Sequence, residues 1–192
     1  MKNIFFGIAI TAISFAACNT GNNKANESNT GNDTTQSKSQ TNNAEAKTAT
    51  PINEIVNGYL HIKNALTNDN GNDAASGGKE MVSAIGKFDK ASLTDQQKKV
   101  YEDVADDVKE NAEHIGENAD KLKHQREHFD MLSQDIYELV KVFGAGQTLY
   151  KDFCPMYNNN KGATWLSETK EIKNPYLGKK MPTCGSIKEE IK

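Results

Sequence analysis

The chain has 192 residues, with 23 Lys and Arg against 26 Asp and Glu, a formal charge of −3. Mean hydropathy is −0.73, and no basic stripe of the kind nucleic-acid binding requires is present, which excludes that class of partner. The glycines form no phosphate-binding pattern, and the many carboxylates stand on helix faces with no catalytic motif behind them, so no enzyme is expected.

Lys2 opens the chain, and an apolar or small-residue run follows from Ile4 to Ala17. That run is too short to cross a bilayer as a helix, which takes roughly 20 residues. A basic start, a short apolar stretch and small residues before a cut predict a signal peptide over 1–17. Phe15-Ala16-Ala17-Cys18 resembles a bacterial lipobox: small Ala16 and Ala17 suit a peptidase cleft, and the Cys18 thiol is the acceptor of lipid. Phe15 departs from the usual aliphatic residue there. The expected location is the cell envelope, lipid-anchored to the outer membrane, and the absence of acidic residues just after Cys18 points to the periplasmic face. Residues 19–50 are mostly Asn, Thr, Ser, Gly and Lys, with hardly an apolar side chain. They read with Cys18 as a disordered tether, 18–50, able to span roughly 30 Å.

Residues 51–192 have the length of one domain. Thr50-Pro51 reads as a helix start, and Ile52, Ile55, Val56, Tyr59, Ile62 and Leu66 recur at helical spacing until Asn68-Asp69-Asn70-Gly71. A second helix is expected over about 73–88, loosened by Gly77-Gly78. Thr94 and Gln97 form a capping-box pattern for a third, with Val100, Val104, Val108 and Ile115 as its stripe. A fourth spans about 120–143, with Leu122, Phe129, Ile136, Val140 and Phe143 on one face. The fold class is therefore all-α: an up-down four-helix bundle over 51–143. Residues 144–192 are broken by glycine and proline and read as an irregular extension, with short strands around 149–153 and 164–166.

Charge is uneven along the domain. Residues 91–143 hold 13 Asp and Glu against 7 Lys and Arg, and residues 144–192 hold 8 Lys against 5 Asp and Glu. The first pattern reads as a solvated acidic helix face, the alternative being a basic extension lying on it.

Beyond Cys18, the thiols are Cys154 and Cys184. An even pair in an oxidising compartment reads first as a disulfide, worth about 3–4 kcal/mol for a loop of this length. The rival reading looks at their neighbours. Cys154-Pro155-Met156 and Met181-Pro182-Thr183-Cys184 each place a thiolate near a thioether. Two Cys and two Met suit Cu(I) or Ag(I), which prefer soft ligands. No Cys-x-x-Cys pair is present, so zinc-site spacing is absent. His124, His128 and Met131 are spaced i, i+4, i+7 on the fourth helix, roughly 100° from its apolar stripe. His124 and His128 are candidate further ligands should the extension fold back on that helix. His61 and His114 have weaker cases. Trp165 and Tyr176 read as core.

Residues 153–167 (FCPMYNNNKGATWLS) and 172–185 (IKNPYLGKKMPTCG) resemble the C-terminal signature of an uncharacterised bacterial envelope domain family. YLHIKNAL at 59–66, QREHF at 125–129 and Leu132-Ser133 extend the resemblance more loosely. Members of that family occur as small lipoproteins of Bacteroidetes-type bacteria and fused to periplasmic adaptor subunits of heavy-metal efflux pumps. The resemblance implies a helical domain in the periplasm, copper or silver handling, and an efflux adaptor as partner. By motif match it makes Cys154, Met156, Met181 and Cys184 the site candidates.

Overall fold

The apolar spacing of the first helix buries a continuous stripe. In the computed structural model, which describes residues 50–192, α1 spans Asn53–Thr67 and buries Ile55, Val56, Tyr59, Ile62 and Leu66. The expected signal peptide, Cys18 and the tether up to residue 49 lie outside the described residues. Helix α1 starts later than Pro51. Ile52 stands at its N-cap without a side-chain cap, and the Thr50 hydroxyl bonds the Asn53 side chain at 2.7 Å instead.

Helix α2 spans Gly71–Gly86 and begins earlier than expected because the Asn70 side chain accepts a bond from the Asp73 N–H. Gly77 and Gly78 do not loosen it. A Cβ on Gly78 would lie 2.6 Å from the Ala112 carbonyl oxygen, and one on Gly77 would lie 2.9 Å from the Ile62 nitrogen. The two glycines let α2 approach α3 on one side and α1 on the other.

Helix α3, Asp95–Glu117, carries the expected capping box: Thr94 Oγ1 accepts from the Gln97 N–H at 3.3 Å, and Gln97 Oε1 accepts from the Thr94 N–H at 3.0 Å. Of the expected stripe, Val108 and Ile115 are buried while Val100 and Val104 are half-buried. Tyr101 takes the inner position near that end, stacked on Phe88 with ring centroids 4.3 Å apart. Helix α4, Leu122–Phe143, buries Phe129, Leu132, Ile136 and Val140 and stops at Gly144, whose φ of 73° suits glycine. Short connections make each helix the neighbour of the next, and α4 also touches α1. Gln125, fully buried, ties three of them: its Nε2 donates to the Gly71 oxygen at 2.9 Å and the Ile115 oxygen at 3.0 Å.

Beyond residue 143 the short strands expected in the extension are present, and they assemble into an ordered sheet where an irregular segment was expected. Strands β1 (Leu149–Cys154), β2 (Ala163–Ser167) and β3 (Ser186–Ile191) form an antiparallel sheet in the order β2-β1-β3. The first two match the expected strands. The third is missing from the sequence reading because SIKEEI lacks alternation; it is a charged edge strand, and such charge guards an edge against further pairing. A register irregularity falls between Lys151 and Asp152 where β1 meets β3. The turn between β1 and β2 places Asn158, Asn159 and Asn160 at positive φ, which Asn tolerates better than most residues.

The sheet packs on α4 and α1 through β2. Trp165 and Tyr176 are core, as expected, with Tyr176 at 5.7 Å from Phe129 and 5.9 Å from Trp165 between ring centroids. The ion pairs joining helices to the C-terminal part, Lys63–Glu168 and Lys141–Glu189, put the bases on the helices. A basic extension lying on an acidic hairpin is thus not the arrangement at these contacts.

Candidate metal centre

Cys154 ends β1, the central strand, and Cys184 ends the loop that leads into β3. The strand pairing draws the two ends together, and the sulfurs stand 3.1 Å apart as free thiols. Cys154 is fully buried and Cys184 half-buried. The Cys154 contact, with burial adding to it, pushes the Cys184 thiol above its usual range, and a bond from the Met156 N–H opposes the shift. The loop carrying Cys184 is fixed by its own hydrogen bonds: Cys184 N–H donates to the Met181 oxygen at 3.2 Å, and the Asn174 side-chain amide donates to the Cys184 oxygen at 2.6 Å. Met156 is 50% exposed and Met181 half-buried, so both flank the thiols along the chain while Met156 faces water.

His124 and His128 lie on one face of α4, partly exposed as their offset from the apolar stripe predicts. They do not join the thiols. They face His114 in the last turn of α3, and one ligand atom from each of the three rings lies within 4.8 Å of the others. The rings of His114 and His128 are stacked at 4.2 Å, and that of His124 stands edge-on to both. His128 Nδ1 is 2.9 Å from Asn111 Oδ1, which accepts its proton and leaves Nε2 with the lone pair. Burial, then the two neighbouring imidazoles, hold the His128 pKa below its ordinary value. Sequence reasoning undervalued His114. Its signal was the short α3–α4 connection, which sets the end of one helix against the start of the next.

His61 is occupied elsewhere, bridging Glu80 at 2.8 Å and Asp73 at 3.1 Å to clasp α1 to α2. Sequence reading also missed a buried polar group beneath β2. Lys63, 1% exposed, meets Glu168 Oε2 at 2.8 Å, and burial lowers its pKa. Nearby Asp152 is fully buried, neither carboxyl oxygen has a hydrogen-bond partner, and burial pushes its pKa up to about 7.

The fold and these clusters define a helical domain with a small antiparallel sheet and two separate groups of metal-capable side chains. Residues 55–148 are similar to a family described as a protein of unknown function (DUF3347). The matched span takes in α1 through α4 and stops before β1. It therefore contains the imidazole cluster, whereas segments 153–167 and 172–185, which carry the resemblance read from the sequence, lie beyond it. No curated protein matches the chain. No solved structure matches it either. Among the described residues, no helix is long and apolar enough to cross a membrane.

Proposed function

We propose that the chain is a non-catalytic, lipid-anchored envelope protein that holds a soft metal ion, Cu(I) or Ag(I), on Cys154 and Cys184 and assists heavy-metal efflux or tolerance. One observation carries the reading: two free thiols, 30 positions apart in sequence, meet at 3.1 Å. Reduced and deprotonated, such a pair is a soft-ligand set. Metal–thiolate bonds are about 2.3 Å long in zinc sites, so an ion entering between the sulfurs spreads them. The half-buried Cys184 is the sulfur with room to move. Met156 and Met181 stand two and three positions from the thiols along the chain and are the thioethers nearest to them in sequence. The lipobox-like Phe15–Cys18 supports the envelope location, and the family resemblance supports an efflux adaptor as partner.

A second reading is favoured by the same 3.1 Å approach, which a small movement of the sulfurs would close to a bonded pair of about 2.05 Å. Here Cys154 and Cys184 form a structural disulfide in the oxidising envelope, and the domain serves as an interaction module. An anaerobic Cu(I) competition titration of the reduced chain separates the two, with Cys154→Ser as control. One equivalent held tightly by the wild type and lost in the control is expected. Equal, weak binding by both proteins, together with no free thiol in material taken from the periplasm, would select the disulfide.

A further inference from the structure

We propose that His114, His124 and His128 form a binding site for one divalent transition-metal ion of borderline softness, Zn(II) or Cu(II), independent of the thiol pair. Three ring nitrogens within 4.8 Å of one another can converge on one ion with modest side-chain movement. Three imidazoles with a fourth position left to water is a recurrent zinc arrangement, and imidazole suits copper equally.

The second nitrogen of His128 strengthens the case. A histidine that binds metal through one ring nitrogen usually has the other held by an amide or carboxylate oxygen. Here His128 Nδ1 meets Asn111 Oδ1 at 2.9 Å, which keeps Nε2 of that ring for an ion. Glu127 and Glu110 stand 3.9 Å from His124 Nδ1 and 3.8 Å from His114 Nε2, too far to hydrogen-bond but near enough to favour a cation at the cluster. Asn111 is itself only 7% exposed, so the His128 ring is oriented by a fixed, buried neighbour.

The helices that carry the rings are locked in register. Gln125, next to His124, donates to the carbonyl of Ile115, next to His114, and it is fully buried. The positions of the rings across the α3–α4 seam are thus a property of the core, and surface drift does not set them. A helix C-terminus accounts for a basic residue at 114. It does not account for two further rings facing that residue from another helix.

One movement is needed. An ion lies in the plane of each imidazole it binds, and the His114 and His128 rings are parallel to within 3°. Asn111 pins His128, whereas the His114 side chain is 43% exposed and turns about its Cβ–Cγ bond. A surface cavity of about 330 Å³, lined by His128 and Asn111 with Asp107, Glu110 and Met131, opens the His128 side of the cluster to solvent. Helix α3 packs on α2 and α4 and carries His114 away from the sheet that holds the thiols.

The test is titration of the full chain with Zn(II) against a chromophoric chelator and with Cu(II) followed by electron paramagnetic resonance. The comparison proteins are His114→Ala, His124→Ala, Asn111→Ala and Cys154→Ser. One equivalent of either ion is expected, with nitrogen hyperfine structure for Cu(II) and at least tenfold weaker binding for each His variant. Asn111→Ala should weaken binding 10–100-fold. Cys154→Ser should bind as the wild type does. His114 and His124 are partly exposed, so circular dichroism should show their variants folded. Failure of the wild type to bind either ion would overturn the site, as would His variants that bind normally. Loss of binding in Cys154→Ser alone would transfer the ion to the thiols and leave the soft-metal reading standing without this one.

Discussion

Tyr59 shows how one polar atom can hold three elements. Its ring is buried against Phe129 with centroids 5.0 Å apart, and its hydroxyl accepts from the Leu166 N–H at 2.9 Å. The same hydroxyl lies 2.9 Å from Ser133 Oγ, which donates to the Phe129 carbonyl at 2.7 Å. Burial holds its pKa far above the usual phenol range, so it stays neutral and can bridge α1, α4 and β2. Tyr59→Phe keeps the ring and leaves the Leu166 N–H without a partner. The expected loss is about 1–3 kcal/mol, the cost of a buried unpaired donor, read from urea unfolding. Asp152 makes the opposite case, since its carboxyl gains no hydrogen bond from burial. Its pKa is about 7 in the fold, above the ordinary 3.8. Between those values the unfolded chain releases a proton that the folded chain keeps, so stability falls as pH rises from about 4 to 7. Asp152→Asn removes that dependence. Melts across this range should show the variant gaining on the wild type by an amount on the order of a few kcal/mol, then running parallel above pH 7. A constant offset at every pH would mean that Asp152 titrates normally.

At the scale of elements, two glycines of the same helix should answer the same change with opposite signs. A Cβ at Gly78 meets the Ala112 oxygen at 2.6 Å and the Gly116 nitrogen at 2.8 Å, whereas one at Gly86 meets nothing within 4 Å. Helix propensity favours alanine over glycine by about 1 kcal/mol in both places. At Gly78, overpacking against α3 backbone costs about 1–3 kcal/mol and outweighs the gain. Gly78→Ala should therefore lower the melting temperature and Gly86→Ala should hold or raise it. Equal shifts would show that α2 and α3 are not in close contact there. This pair also marks what the residues alone could tell. The four helices were legible because their apolar positions recur every three or four residues, and the start of α3 was legible because Thr94 and Gln97 are a local signal. The role of Gly77-Gly78 was not, because a glycine that breaks a helix and one that admits a neighbour look the same along one chain.

Across the whole molecule, pairing between distant segments decides both the sheet and the metal-capable clusters. Cys154 and Cys184 were legible as a pair by count, while His114 was recognisable as a partner of His124 and His128 only once the helices had a register. Lys63 and Glu168 had no sequence signal, since a lysine on an apolar face reads as surface until a carboxylate from another element covers it. Strand β3 escaped for a related reason: its composition is that of a solvated edge, and only its last apolar residue, Ile191, is buried, opposite Leu149. Yet β3 covers one side of β1 and is fastened to α4, where Glu189 accepts from the Tyr137 hydroxyl and from Lys141, both at 2.7 Å. Ending the chain after Gly185 removes these bonds and turns β1 from a central strand into an exposed edge beside the fully buried Leu149. An unprotected edge of that kind pairs with other chains. The shortened protein should melt at a lower temperature and associate as its concentration rises, seen by light scattering on a sizing column. A monomer with the wild-type melting temperature would mean that β3 contributes nothing to closing the fold. In that event the approach of Cys184 to Cys154 would have to rest on the loop's own hydrogen bonds.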